Sequence, residues 1–262
     1  MRLQECHNVA DFRRLAKSRL PSPIFNYIDG AADDERTKMR NTSAFDDCDL
    51  VPNVLAGVSE IDMGVTVMGQ RIDMPLMLSP TALQRLFHWQ GERAVASVAQ
   101  QHNTWFGISS LATVSIEEIG ATIKTPKMFQ LYIHKDKGLN TSMIERCKAA
   151  KFDAIALTVD TIVSGNRERC LRSGFTSPPR FIPASVLSYA IHPLWALNYM
   201  FREKFALPNL QTHVDAGTNV AVSVAEYFNT MLDTSMDWKM AEKVRSDWGG
   251  AFCLKGIMSV DD

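Results

Sequence analysis

The sequence is poor in cysteine, and the little it has is scattered. Cys6, Cys48, Cys147, Cys170 and Cys253 are odd in number, far apart and form no C-x-x-C pair. A disulfide framework or a structural zinc site needs clustered, even usage, so the pattern predicts reduced thiols in the cytosol. An excess of charge of either sign is also missing: 28 basic against 29 acidic side chains leave a formal net charge of −1. Proteins that bind along a phosphate backbone carry a basic surplus, so no nucleic-acid partner is expected. The opening MRLQECHNVADF lacks the apolar core of a secretory signal, and export by that route is not expected. Fourteen glycines and eleven prolines among 262 residues are too few for a collagenous or low-complexity chain. With 46% hydrophobic residues the chain is too apolar for disorder. What remains is a globular protein of one large domain or two small ones.

Residues 1–74 read as a helical preface. Asn8 can cap a helix whose Val9, Phe12, Leu15 and Ala16 share a face, with Leu20-Pro21 as its stop. Ser22-Pro23 starts a second helix through Ile24, Phe25, Tyr27 and Ile28, ending near Gly30. Asp33 to Met39 is charged and reads as a third, exposed helix.

From residue 75 short apolar runs alternate with amphipathic ones. The strand-sized runs are MPLMLSPTA, TWFGISS, KMFQLYI, DAIALTVD and AFCLKGI, separated by helix-sized stretches such as GERAVASVAQQH and KGLNTSMIERCKAAK. This rhythm predicts βαβ units around a buried parallel sheet. The five strand candidates end in Thr81, Ser109, Gln130, Thr158 and Lys255, and ligand groups collect at the C-terminal ends of strands in a parallel barrel. A doubly wound dinucleotide fold is the competing reading, but no G-x-G-x-x-G follows an early strand. The prediction for 75–262 is therefore a TIM (β/α)8 barrel with about five of its eight strands. Ser259-Val260-Asp261-Asp262 reads like the start of a further helix, so the sequence is expected to be a fragment.

Residues 161–236 break the rhythm and read as an insertion. Within them, 181–201 (FIPASVLSYAIHPLWALNYMF) contains no Asp, Glu, Lys or Arg. Pro183 and Pro193 argue against a transmembrane span. Two short helices lying in a membrane interface fit better, with Trp195 and Tyr199 at headgroup depth and Arg180, Arg202 and Lys204 flanking. A soluble lid or an oligomer contact remains the alternative for 181–205.

Several motifs in order, NVADFRRLAKSRLP, FNYIDGAADDE, LSPTALQRL, ISSLATVSIEEI, FQLYIHKD, ALTVDT, GNRER and CLKGI, give the chain a recognisable outline. It resembles the FMN-dependent α-hydroxy-acid oxidases and dehydrogenases, which act on lactate, mandelate or glycolate. The resemblance implies FMN as cofactor, contacted by Pro80, Thr81, Ala82, Ser109, Gln130, Thr158 and Lys255. Polar groups at buried strand ends need partners, which a flat cofactor supplies. A lysine ending an apolar strand suits the negative charge of a reduced flavin, while its bland reading is a side chain leaning into solvent.

For the substrate, the resemblance assigns Arg167 to a carboxylate, for which a guanidinium fork is well shaped, with Arg169 and Arg172 as competitors. It assigns Tyr27 and Tyr132 to substrate contacts, the alternative being core packing. Tyr132 lies two residues beyond Gln130, on the same face of its strand. Asp160 is matched to a carboxylate that supports a catalytic histidine. That histidine belongs to a His-Gly-Gly-Arg type motif, and none of His7, His88, His102, His134, His192 and His213 stands in such a context.

The implied activity is oxidation of an (S)-2-hydroxy acid to the 2-oxo acid. The insertion, and Leu111 where the glycolate branch tends to carry an aromatic residue, tilt the acceptor toward a quinone. An oxygen-using oxidase, a flavin barrel acting on a diphosphate, and a catalytically incompetent flavin-binding fragment are the competing readings. The resemblance further implies a homo-oligomer, cytoplasmic or peripheral on the inner face of the plasma membrane.

Overall fold

The computed structural model describes residues 2–161, 163–176, 180–203, 206–210 and 230–262. Lys204, His213 and much of the insertion named above therefore lie outside the described residues. In chain order come α1 (Val9–Arg19), α2 (Ser22–Asp29) and α3 (Arg36–Ser43), a hairpin of β1 (Val65–Val67) and β2 (Gln70–Ile72), and β3 (Met77–Leu78). Next are α4 (Glu92–Gln101), β4 (Trp105–Ser109), α5 (Ile116–Thr122), β5 (Lys127–Leu131), α6 (Lys137–Ala149) and β6 (Ala154–Thr158). The remaining elements are α7 (Glu168–Ser173), α8 (Pro183–Ala190), α9 (Pro193–Phe201), α10 (Trp238–Trp248) and β7 (Ala251–Lys255). They group into two compact units, Met1–Asp62 with Gly165–Ala196, and Met63–Ser164 with Leu197–Asp262.

In the first unit the local signals act as expected at α1 and α2. The Asn8 side chain accepts the Asp11 N–H at 2.9 Å, and α2 begins at Ser22 with Pro23 in its first turn. The expected apolar face of α1 is only partly covered, because Leu15 is buried while Val9 and Phe12 are exposed. The third helix starts three residues later than the sequence suggests. Glu35 takes a left-handed conformation, and its carboxylate accepts the Ala31 N–H at 3.0 Å, so residues 31–35 form a turn.

α8 is inside out. Ser185 and Ser188 are its buried residues, while Val186, Leu187 and the following Ile191 are exposed. Ser188 Oγ accepts the Ser22 N–H at 2.8 Å, which supplies α2 with the side-chain cap that Pro21 cannot give. α8 and α9 are separate short helices, broken at the proline-bearing turn, and no described helix is long and apolar enough to cross a membrane.

The second unit is built on a five-stranded parallel sheet in the order β3-β4-β5-β6-β7, an incomplete TIM barrel. Every residue of β4, β5 and β6 is buried, as the nearly continuous hydrophobicity of DAIALTVD predicts for β6 as a strand covered on both faces. The first strand shrinks to Met77–Leu78, because Pro75 and Pro80 bracket it and neither has an N–H to give the ladder.

Residues 65–72, which the sequence suggests are part of the helical preface, instead form the β1–β2 hairpin. Its turn is Met68-Gly69, both at positive φ. A single glycine in a two-residue gap between VTV and QRI is the signal for it. Ile72 is fully buried against Trp105, Met128, Ala154 and Ala156, with Val65 and Val67 packed alongside, so the hairpin covers the inner face of the strands. That face is graded along the strands. Trp105 and Met128 lie at the amino ends, Gly107 and Ala156 in the middle, and Ser109, Gln130, Thr158 and Lys255 at the carboxyl ends.

Candidate active site

The strand register brings the predicted polar residues of the second unit into one row. Ser109 pairs with Gln130, and Thr158 with Lys255, so their side chains share a face. Ser109 Oγ donates to Gln130 Oε1 at 2.9 Å, and Gln130 Nε2 donates to Thr158 Oγ1 at 2.7 Å. The Leu111 N–H donates to Ser109 Oγ at 3.1 Å. All three side chains are buried. Ser109 spends its proton on Gln130 and Gln130 spends one of its two N–H donors on Thr158, whose hydroxyl accepts there and keeps a proton to donate. Such a row gives a flat heterocycle both acceptor and donor atoms in a fixed order.

Lys255 ends β7 with its side chain exposed and without a hydrogen-bond partner among the described residues. Its ammonium therefore stands at the rim of the row rather than inside it. Asp160, also exposed, packs on Gly256: a Cβ there would lie 2.4 Å from the Asp160 carboxyl carbon. Gly256 has φ of +110°, so both space and backbone demand glycine where β7 leaves the sheet. Gly107 makes a comparable approach on β4, since a Cβ would meet the Pro80 ring at 2.8 Å. Pro80 and Ala82 are half-buried and Thr81 is exposed, on the loop that leaves β3.

Tyr132 follows β5 and is half-buried. Beyond it the chain is fixed by the return of the insertion. Asp233 N donates to Ile133 O and Lys135 N to Met231 O, both at 2.9 Å. Lys137 and Ser235 hold the Asp233 carboxylate at 2.6 Å each, which lowers its pKa to about 2. A small cavity over the end of β6 is lined by Ile133, Thr158, Thr161, Leu232, Asp233, Thr234 and Met236. The sequence gives no hint that 232–236 reach this rim, because the residues carry no motif of their own.

In the first unit, the Arg167 guanidinium lies over the Tyr27 ring, 4.8 Å from its centroid. Its Nη2 donates to Tyr27 O and to Gly30 O, while its Nε is buried without a partner. Burial pushes the Tyr27 phenol up to about 12, against the pull of the Arg167 charge. The two competitors are occupied elsewhere. Arg169 pairs with Asp29 at 3.0 Å and Glu35 at 3.1 Å and donates to Asn26, and Arg172 is tied to Glu168 on the exposed side of α7. Of the three, only Arg167 keeps a buried donor unspent.

One buried group was not singled out by sequence. Glu92 is wholly buried at the start of α4 and accepts from Thr113 N, Thr113 Oγ1 and Gln84 N. In sequence it reads as an ordinary acidic residue in a first helical turn.

The row at the strand ends is the arrangement in which parallel-barrel enzymes hold ligands. The family model described as FMN-dependent dehydrogenase matches residues 16–262. The chain belongs to the FMN-dependent dehydrogenase family. It is 33% identical over 253 residues to an L-lactate dehydrogenase of Vibrio parahaemolyticus, covering 96% of this chain and 66% of that protein. It is 33% identical over 258 residues to glycolate oxidase 1 of Oryza sativa subsp. indica, covering 98% of this chain and 64% of that protein. Among solved structures it is similar to a monotopic membrane protein, (S)-mandelate dehydrogenase. That match has a TM-score of 0.89 at 28% identity and covers 99% of this chain and 68% of that one. A mandelate oxidase matches with a TM-score of 0.77 at 28% identity, over 97% of this chain and 63% of that one. The chain thus spans roughly two thirds of the length of the relatives it matches. The cofactor of the FMN-dependent dehydrogenase family is FMN, and the buried row of hydroxyl and amide groups suits the polar edge of such a ring.

Proposed function

We propose that this chain belongs to an enzyme that oxidises an (S)-2-hydroxy acid, lactate- or mandelate-like, to the 2-oxo acid with FMN as the immediate electron acceptor. The observation that carries the reading is the buried Ser109–Gln130–Thr158 row, in register with Lys255 at the carboxyl ends of parallel strands. When bound, FMN supplies a two-electron sink. The row orients the ring's polar edge, with Pro80, Thr81 and Ala82 as further contacts, and Lys255 brings a positive charge to it. Arg167, with its unspent Nε, binds a carboxylate, and Tyr27, stacked beneath it, keeps its phenol protonated as a donor. Tyr132 orients the substrate, and Asp160 supports an imidazolium.

The exposed apolar faces of α8 and the segment after it support a peripheral membrane contact through 181–205, with a quinone rather than oxygen as the final acceptor. That reading places the enzyme in the cytoplasm, on the inner face of the plasma membrane, as a homo-oligomer. The test is spectroscopic. The protein should bind FMN with quenching of flavin fluorescence, and a 2-oxo acid such as pyruvate or benzoylformate should then perturb the flavin spectrum. Arg167→Met should abolish the second response and leave the first. Flavin binding with no response to any 2-oxo or 2-hydroxy acid overturns the proposal.

A further inference from the structure

Two loops border the flavin bay proposed above: the one after β3, with Pro80 to Ala82, and the one after β4, which follows Ser109. They touch backbone to backbone, Leu83 N donating to Leu111 O at 3.1 Å, and Gln84 Nε2 secures Thr81 O at 3.3 Å. What ties them together is a carboxylate. Glu92 Oε1 accepts from Thr113 N at 2.9 Å and from Gln84 N at 3.4 Å, one donor from each loop. Its Oε2 accepts the Thr113 hydroxyl at 2.5 Å, and that hydroxyl in turn accepts Arg85 N at 3.2 Å. Glu92 has no exposed surface. Among the described residues no cation pairs with its carboxylate, because the Arg85 guanidinium turns to Thr113 O and to Glu203.

A fully buried carboxylate held only by dipoles is a costly way to join two loops if holding them is all that matters. Apolar packing of similar volume would do that as well. Three donors converging on two oxygens do something packing does not: they fix direction as well as distance. The start of α4 adds its own partial positive charge at the same place.

We propose that Glu92 is a positioning residue. Its carboxylate locks the Pro80–Ala82 loop to the Ser109 loop and so sets the shape of the bay that receives the flavin. The proposal rests on the flavin reading given above. It is tested in the whole chain with Glu92→Leu, which keeps bulk and removes both acceptors, and with Glu92→Gln, whose amide oxygen can still take both backbone N–H groups. Glu92→Leu should keep its far-UV circular dichroism, weaken FMN binding about tenfold or more, and speed hydrogen exchange at the Leu83 amide by about tenfold. Glu92→Gln should restore FMN affinity to within about threefold of the parent. If Glu92→Leu does not fold, Thr113→Val, which removes the hydroxyl that donates to Glu92 and accepts from Arg85 N, should show the same two changes at smaller size. Faster exchange with unchanged FMN affinity overturns the proposal by reducing Glu92 to a fold-holding role. Unchanged exchange overturns it outright. A parent protein that binds no FMN defeats the flavin reading instead, and Leu83 exchange then decides the loop coupling on its own.

Discussion

Arg167, Arg169 and Arg172 compete in sequence for one carboxylate, and their surroundings separate them. Arg169 pairs with Asp29 and Glu35, whose carboxyls lie below their usual range. Asp29 is held there first by Arg13 and Glu35 first by the Ala31 N–H, with Arg169 adding to both. Arg167 instead stacks on Tyr27 with a donor to spare. Lys255 carries a sharper expectation. With FMN bound, Lys255→Met should weaken sulfite binding to the flavin by about 10²- to 10³-fold, the scale of losing one preorganised charge partner, as read by absorbance titration. An unchanged affinity would mean that the ammonium stays in solvent. His134 gives a pH signature. Burial lowers its pKa from 6.5 to about 4, so the folded state holds the neutral ring. The unfolded chain then binds the extra proton between those values, and stability present above pH 6.5 is lost as pH falls through about 4, at most about 3 kcal/mol. Urea melts of His134→Gln and parent should converge across that window.

At the scale of residues, what was legible in sequence was whatever sits at a strand end. Period two and a parallel ladder put Ser109, Gln130, Thr158 and Lys255 on one face without further information. Glu92 was not legible, because its meaning lies in who donates to it, and Thr113 stands 21 residues away.

Among the elements, α8 shows how a helix can be right in extent and surprising in orientation. Its serines face inward because one of them caps α2, and its aliphatic residues are left outside. Ser188→Ala should therefore destabilise the first unit by about 1 kcal/mol, as loss of a helix cap does, without changing α8's exposed face. A thermal melt and binding to anionic vesicles, measured together, separate the two effects. The β1–β2 hairpin was hidden for a different reason. Its strands are three residues each, too short for alternation to stand out from the helical stretch before them. The late start of α3 is a similar case: the Glu35 carboxylate decides it, through a turn that helix periodicity does not register.

For the molecule as a whole, the parallel order of five strands followed from spacing alone. The insertion did not, since it is pinned by contacts remote in sequence. Asn209, fully buried within it, accepts Ile116 N at 3.0 Å, and Asp233 clips its far end beside Ile133. Because Asn209 and Asp233 hold the chain that follows it, replacing 181–205 with a Gly-Ser linker should leave the second unit folded. The parent protein should sediment with membranes and come off with detergent more fully than with high salt, while the replaced protein stays in the supernatant. A parent that remains in the supernatant without detergent would make the segment a lid or a subunit contact.

The hairpin under the strands has an electrical consequence. Ile72, Trp105, Met128 and the two alanines form a dry, uncharged floor beneath the Ser109–Gln130–Thr158 row. Dipoles above such a floor are not screened from below, so the field of the row and of Lys255 is felt mainly on the side that opens to the rim. A pair of short strands with no reactive group thus gives the polar row a direction. Ile72→Ser, by admitting permittivity where there is now hydrocarbon, should blunt the flavin's spectral response to a bound anion before it disturbs the fold.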